Sequence, residues 1–265
     1  MIDVPGYLDR IGAGRPEPGL AGLCELQDRH LLTVPFENLG IHLGEPIQLA
    51  EEALVAKIVR GRGGFCYELN GAFAALLTAL GFRVSLLSAQ VYNAEGEYGP
   101  PFDHLALRVE LDRPWLADVG FGRFSQYPLD LTMRGPQADP AGEFRLTEVD
   151  ADVVDVFRDG KPEYRLELLP RRLRDFAPTC WYHQTSPDSH FTRTLVCSLA
   201  TPKGRVTLSG STLIRTESGE RTERLLTDAE LLPAYRDLFG IELGHAPTIR
   251  PPITLETLRG SGTRA

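Results

Sequence analysis

The chain is predicted to be an α+β fold with a papain-like core, in which a helix start presents a cysteine to residues on a neighbouring sheet. Three observations predict this. Before residue 82 apolar residues recur three and four apart, the spacing of one helix face. After it they alternate, the spacing of half-buried strands. Between the two regimes lies Arg60-Gly-Arg-Gly-Gly-Phe-Cys66-Tyr-Glu-Leu-Asn70-Gly, where glycines lead into a cysteine and a helical pattern leads out.

The elements follow in order. Tyr7, Leu8 and Ile11 form an amphipathic turn that stops at Gly12, and Leu20, Leu23, Leu26 and His30 resume the helical spacing. Pro35 forbids helix continuation through Thr33–Leu39, which becomes a turn or extended link. Glu37 beside Asn38 is unusual in so apolar a stretch. It is either a solvated loop residue or a buried carboxylate bracing an arginine such as Arg62. Residues 51–60 form a helix with Leu54, Ile58 and Val59 inward. The helix opened by Cys66 buries Leu69, Phe73, Leu76, Leu77 and Leu80, and Gly81 caps it.

Phe82–Tyr92 is strand-like, and Asn93–Phe102, with two glycines and two prolines, is a loop. His104–Leu111 alternates strictly: Leu105, Leu107, Val109 and Leu111 share one face, His104, Ala106 and Arg108 the other. A turn at Asp112-Arg-Pro leads to a strand over Trp115–Val119. His104 and Asp118 therefore fall on consecutive strands, read as antiparallel neighbours. Further strands are expected at Phe144–Val156, Tyr164–Leu169, Thr192–Leu199 and Arg205–Leu213. Turns are expected at Asp159-Gly160 and Thr201–Gly204, a short helix within 171–191, and a helix at Asp228–Phe239. The tail from Pro251 is expected to fray.

Composition narrows the function. With 28 basic and 36 acidic residues the net charge is −8, which argues against nucleic acid as the main partner but not against a small anion at a local basic patch. Only three of the basic residues are lysine (Lys57, Lys161, Lys203), the bias of a GC-rich, bacterial coding sequence. Cys24, Cys66, Cys180 and Cys197 form no C-x-x-C pair, so neither a zinc cage nor a dithiol redox site is expected, and no metal site is assigned. The N-terminus has no basic and apolar leader pattern and no apolar run reaches a membrane span. The chain is read as cytoplasmic with reduced thiols.

A helix start carries unpaired N–H groups and about half a positive charge, both of which favour a thiolate at Cys66. Arg60 and Arg62 are expected to fold back and add to that field, and Gly63 and Gly64 to let a substrate approach the sulfur. The competing account is packing, the fate of most cysteines. A cysteine nucleophile needs a base, for which histidine suits, and a carboxylate to hold the base. Cys66, His104 and Asp118 supply these in order. His30, His42 (placed in a loop) and His245 are read as surface or core residues; His183 and His190, beside an aromatic stretch, are closer rivals.

Thr33-Val-Pro-Phe-Glu-Asn-Leu39, Arg62-Gly-Gly-Phe-Cys-Tyr-Glu-Leu-Asn70, Asp103-His104-Leu and Asp118-Val-Gly-Phe-Gly122 together resemble the arylamine N-acetyltransferases in their bacterial form, over nearly the whole chain. The resemblance implies a Cys66–His104–Asp118 triad, acetyl-CoA as donor substrate with no permanently bound cofactor, and an arylamine, hydrazine or arylhydroxylamine as acceptor. It implies three domains: helical (1–88), β-barrel (89–195) and α/β and lid-like (196–265). It places Phe36, Tyr67, Phe121 and Phe191 around the acceptor, with Asn93 in the substrate loop. Gly122, Lys203 and Arg205 are expected to touch CoA, by position and charge. One rival keeps the triad but takes a carrier-protein-bound polyketide or peptide thioester, as an amide synthase. A hydrolase of the peptidase or transglutaminase kind, and a binding module with a redox or packing thiol, are the others.

Overall fold

The computed structural model describes residues 1–250; the expected fraying from Pro251 lies outside the described residues. The first part is helical: α1 (Val4–Ile11), α2 (Leu20–Thr33), a short β1 (Phe36–Glu37), α3 (Leu39–Leu43), α4 (Glu51–Val59) and α5 (Cys66–Ala79). Gly12 closes α1 in the left-handed conformation at φ 63°, where a side chain is disfavoured. Every residue of α5 from Cys66 to Leu77 is buried. A helix buried on all sides belongs in a core, and α1, α2 and α4 pack around this one.

Eight antiparallel strands follow: β2 (Arg83–Val91), β3 (His104–Glu110), β4 (Pro114–Ala117), β5 (Leu129–Asp130), β6 (Gln137–Asp139), β7 (Gly142–Asp150), β8 (Val153–Arg158) and β9 (Lys161–Glu167). They form one sheet in the order β5-β4-β3-β2-β9-β8-β7-β6. The Gln137 side chain joins the two edges, accepting from the Asp130 N–H at 2.8 Å and donating to the Asp130 carbonyl at 3.0 Å. This nearly closes the expected barrel. Its interior holds Leu87, Ala106, Leu116, Phe124, Phe144, Val156 and Tyr164.

A 3₁₀ turn (Leu173–Phe176), α6 (Ala177–Thr185) and α7 (His190–Arg193) cover the junction of helices and barrel. The last part is β10 (Val196–Thr201), β11 (Gly204–Ser209), β12 (Thr212–Glu217), β13 (Glu220–Leu225) and α8 (Asp228–Phe239). Its sheet runs β1-β10-β11-β12-β13, with Phe36 opposite Ser198. β2 runs through residue 88, the first expected border, and β1 of the helical part pairs with β10 of the last sheet.

Several local expectations are corrected. Phe144–Val156 is not one strand but part of a hairpin that turns at Ala151-Asp152. Arg205–Leu213 likewise breaks at Gly210, φ 57°. Thr192 and Arg193 belong to α7, so β10 starts only at Val196. His42 lies on α3, buried, and its Nε2 donates to the Thr194 carbonyl at 2.7 Å, rather than sitting in a loop. Among the described residues no helix is long and apolar enough to cross a membrane.

Candidate active site

β3 is the hinge of the site. Leu105, Leu107 and Val109 point into the helical core and Ala106 into the barrel, so both faces are buried. His104, the first residue of β3, is thereby held at the seam between the two cores. β3 pairs antiparallel with β4, Leu107 opposite Ala117, and Asp118 follows as the chain leaves the strand. His104 Nε2 lies 2.7 Å from Asp118 Oδ2, with the side chains 2% and 0% exposed. Nε2 is thus engaged by the carboxylate, and Nδ1 is the ring nitrogen left for exchange with a thiol or substrate.

Asp118 is fully partnered. Oδ1 accepts from Asn70 Nδ2 at 2.8 Å and from the Gly120 N–H at 2.9 Å, and Oδ2 also accepts from the Tyr164 hydroxyl at 3.3 Å. The His104 ring is edge-on to Phe121 and tilted against Tyr164, both at 5.2 Å between centroids. Carboxylate and ring are therefore fixed in place before any substrate arrives.

Cys66 opens α5, and burial pushes its thiol well above the usual value. The Leu105 N–H donates toward the sulfur and works the other way, while the Asp103 and Asp118 charges add to the rise. The thiol faces the Asp103 carbonyl at 3.9 Å, a long contact. The expected help from arginines is absent. Arg62 is spent on Glu37 at 2.9 Å and Glu45 at 2.9 Å, and Arg60 is exposed at the end of α4. Glu37 is thus the buried brace for Arg62, the second of the two readings of that residue. No standing positive field favours a thiolate at Cys66.

Gly63 and Gly64 also serve another end. A Cβ on Gly63 would lie 1.8 Å from the Pro35 carbonyl, and the Gly64 carbonyl accepts from the Glu37 N–H at 2.8 Å. Gly63 thus admits the backbone that enters β1, while Gly64 leaves room for the Glu68 side chain, whose Cβ would lie 2.6 Å from a Cβ there. Gly120 is equally constrained: a Cβ there would meet Asn70 Nδ2 at 2.6 Å and the Cys66 Cα at 2.8 Å. The backbones of the Cys66 and Asp118 segments can approach only because Gly120 has no side chain.

Cys66 and His104 line one cavity of about 580 Å³, with Phe36, Phe121 and Phe191 among its walls and Asn93, Tyr92 and Tyr98 at the loop side. Tyr67 is not on the wall. It is fully buried, and its hydroxyl donates to the Phe102 carbonyl at 2.7 Å and the Asp103 carbonyl at 3.1 Å, tying down the loop before His104. Gly122, at φ 83°, lies beneath the Phe36 ring. Lys203 is exposed in the turn between β10 and β11, away from the cavity lining. Arg205 is mostly buried and donates to Ser198 Oγ at 3.0 Å. His190 and His183 both line the cavity; His183 Nε2 is 3.0 Å from Asp103 Oδ1, out of line for a hydrogen bond. The motif reading passed over Asn70 and Tyr164 as partners of Asp118. Asn70 stood inside a quoted motif, with only its polarity on a buried helix as a signal; Tyr164 gave none.

A family model described as N-acetyltransferase matches residues 19–248. Arylamine N-acetyltransferase of Mycolicibacterium smegmatis is 38% identical over 92% of this chain and 93% of that protein. The solved structure of the M. smegmatis arylamine N-acetyltransferase superposes with a TM-score of 0.85 at 35% identity, covering 92% of this chain and 94% of that one. That of the Mycobacterium marinum arylamine N-acetyltransferase in complex with CoA gives 0.83 at 32% identity, covering 90% and 93%.

Proposed function

The chain belongs to the arylamine N-acetyltransferase family, and from that membership we infer that it carries an acetyl group from acetyl-CoA to the nitrogen of an arylamine, hydrazine or arylhydroxylamine. The observation that carries the reading is the shared cavity of Cys66 and His104, with the imidazole fixed by Asp118 at 2.7 Å.

We propose these three as the catalytic residues of a ping-pong reaction. The Cys66 thiol gives its proton to His104 and the sulfur attacks the thioester carbonyl. The resulting oxyanion is stabilised by backbone N–H groups, for which the unpaired helix-start N–H of Cys66 and that of Leu105 are the candidates. The tetrahedral intermediate collapses, CoA leaves as a thiol with the proton from His104, and acetyl-Cys66 remains. The amine then attacks, His104 takes its proton, and the amide departs as Cys66 is restored. Asp118 holds the ring and stabilises the imidazolium in both halves. Weakly basic aromatic amines are neutral near pH 7, so their lone pair is free, and Phe36, Phe121 and Phe191 offer the flat apolar walls that favour them.

Of the expected thirds, residues 1–88 supply the nucleophile and 89–195 the base and carboxylate. A relative described in complex with CoA favours a free thioester over a carrier-bound one. We place the reaction in the cytoplasm, where acetyl-CoA and reduced thiols are found. Intact-protein mass spectrometry after incubation with acetyl-CoA tests the reading. One acetyl group is expected on the wild type and none on Cys66→Ala; an unmodified wild type rules the acetyl donor out.

A further inference from the structure

A second histidine and carboxylate line the cavity, and the chemistry above makes no use of them. His183 of α6 is 5% exposed, and its ring is held on one side only. With its one hydrogen on the His183 carbonyl at 3.3 Å, the Ser189 hydroxyl accepts from Nδ1 at 3.2 Å and from the Phe191 N–H at 3.2 Å. These partners put the ring proton on Nδ1 and leave Nε2 a lone pair. Nε2 stands 3.0 Å from Asp103 Oδ1, out of line for a hydrogen bond, and is buried with no partner among the described residues. Asp103 Oδ2 accepts from the Val91 N–H at 3.3 Å, while Oδ1 has no donor among the described residues. Two acceptors thus face each other with no hydrogen given to either. A buried polar atom left in that state costs about 1–3 kcal/mol, which a donor reaching both would relieve.

Place and charge say what that donor is. Asp103 and His183 share the cavity with Cys66, and the Asp103 carbonyl is 3.9 Å from the sulfur. One residue therefore meets the proposed nucleophile with its backbone and the His183 ring with its carboxylate. The cavity walls carry two carboxylates, Asp103 and Asp188, against one guanidinium, Arg193. That guanidinium is turned to the Ser189 and Asp188 carbonyls, at 3.3 and 3.2 Å. His190 adds no charge near pH 7: burial first, and then Arg193 and His183, hold its imidazole below the usual value. A negative wall set among aromatic rings suits a cation.

We propose that Asp103 and His183 form a second subsite for the acceptor, one that takes an amino or ammonium group carried on the aromatic ring away from the reacting nitrogen. Such a group has more than one N–H to give, so it serves both acceptors at once. The proposal rests on the acyl-transfer reading and deepens it. The aromatic walls select a flat ring, and the pair selects, among flat rings, those with a second basic nitrogen.

The test isolates the acceptor step. Acetyl-Cys66 is formed with acetyl-CoA and desalted. Its decay is then timed with 4-(aminomethyl)aniline, 4-methylaniline and 4-aminobenzoate at pH 7, and mass spectrometry confirms acetylation on the ring nitrogen. Ratios between acceptors within one preparation cancel any loss of folded protein. In Asp103→Asn the second-order rate constant for 4-(aminomethyl)aniline over that for 4-methylaniline should fall on the order of tenfold or more. The same variant should gain with 4-aminobenzoate over 4-methylaniline, because a like charge has been removed. His183→Leu should lower the first ratio by less, since the carboxylate remains. A first ratio unchanged in Asp103→Asn overturns the subsite, the pair then holding water alone. An equal loss with all three acceptors makes Asp103 structural and overturns it as well. Wild-type Cys66 that gains no acetyl group overturns the acyl-transfer reading, and the subsite with it, before any acceptor is added.

Discussion

Burial and two nearby carboxylates oppose a Cys66 thiolate, so the proposed nucleophile needs the proposed base, His104, to take its proton. His104→Gln removes that partner and leaves the thiol raised by its surroundings. Alkylation of Cys66 by iodoacetamide, followed by peptide mapping, should then be slower by about 10²–10⁴ near pH 7. It should recover only as pH climbs past the ordinary thiol range, because the raised group must lose its proton to solvent. A variant that alkylates at the wild-type rate at neutral pH would show that the thiolate does not need the ring. The two strand residues were legible because alternation put His104 at a strand start and a turn at Asp112 brought Asp118 back alongside. The electrostatics were not legible. Arg62 stands four positions before Cys66 in the chain, but nothing in that spacing reveals that Glu37 and Glu45 claim its guanidinium.

At the scale of elements, the helix start is braced from behind by charge. Lys57 of α4 reaches Glu68 of α5 at 2.6 Å, and Arg62 reaches Glu37 of β1 at 2.9 Å. The Glu68 carboxylate also accepts from the Phe65 N–H at 3.3 Å, capping α5 where an apolar Phe65 cannot. Burial works to raise the Glu37 carboxyl, but Lys57, Arg62 and the Leu39 N–H outweigh it and hold the group below the usual carboxylate range. Its folded value is therefore below its unfolded one. The stabilisation it gives is present above the unfolded value of about 4.3 and drains away as pH falls through the folded value. Glu37→Gln should lower the urea midpoint at pH 7 and flatten the decline seen as pH falls below about 4.3. Arg62→Met, which leaves the carboxylate buried with its main partner gone, should cost about 3–5 kcal/mol at pH 7. Midpoints that stay within error of wild type would reduce the network to a bystander. Periodicity found the long helices because a buried stripe repeats over many turns. It missed the hairpins at Ala151-Asp152 and Gly210-Ser211, because a two-residue turn between strands of like pattern hardly interrupts the alternation.

Across the whole molecule the site belongs to no single core. The helical core supplies Cys66, the seam strand supplies His104, and the barrel interior lies behind Asp118 through Tyr164. One side chain stitches helix to sheet. Asn70 of α5, with no exposed surface, donates to the Leu105 carbonyl at 2.6 Å and to Asp118 Oδ1 at 2.8 Å, and accepts from the Val119 N–H at 2.9 Å. Its amide thus touches both strands that carry the proposed base and carboxylate, from the helix that carries the proposed nucleophile. A long-range bond of this kind cannot be read from spacing, since its partners lie 35 to 49 residues away. Asn70→Ala removes three buried bonds; the Val119 N–H loses its acceptor, while Asp118 Oδ1 keeps the Gly120 N–H. The substitution should cost about 1–3 kcal/mol for each partner left without a bond, less whatever water recovers, lowering Tm by about 2–4 °C per kcal/mol. Loss of registration should cost more than stability. With Asp118 free to turn from Nε2, acylation by acetyl-CoA should slow by about 10²-fold at temperatures where the variant remains folded. Stopped-flow acylation beside a thermal melt separates the two effects. A lowered Tm with an unslowed acylation step would mean that the halves find their alignment without Asn70, and that the stitch lies elsewhere along the seam.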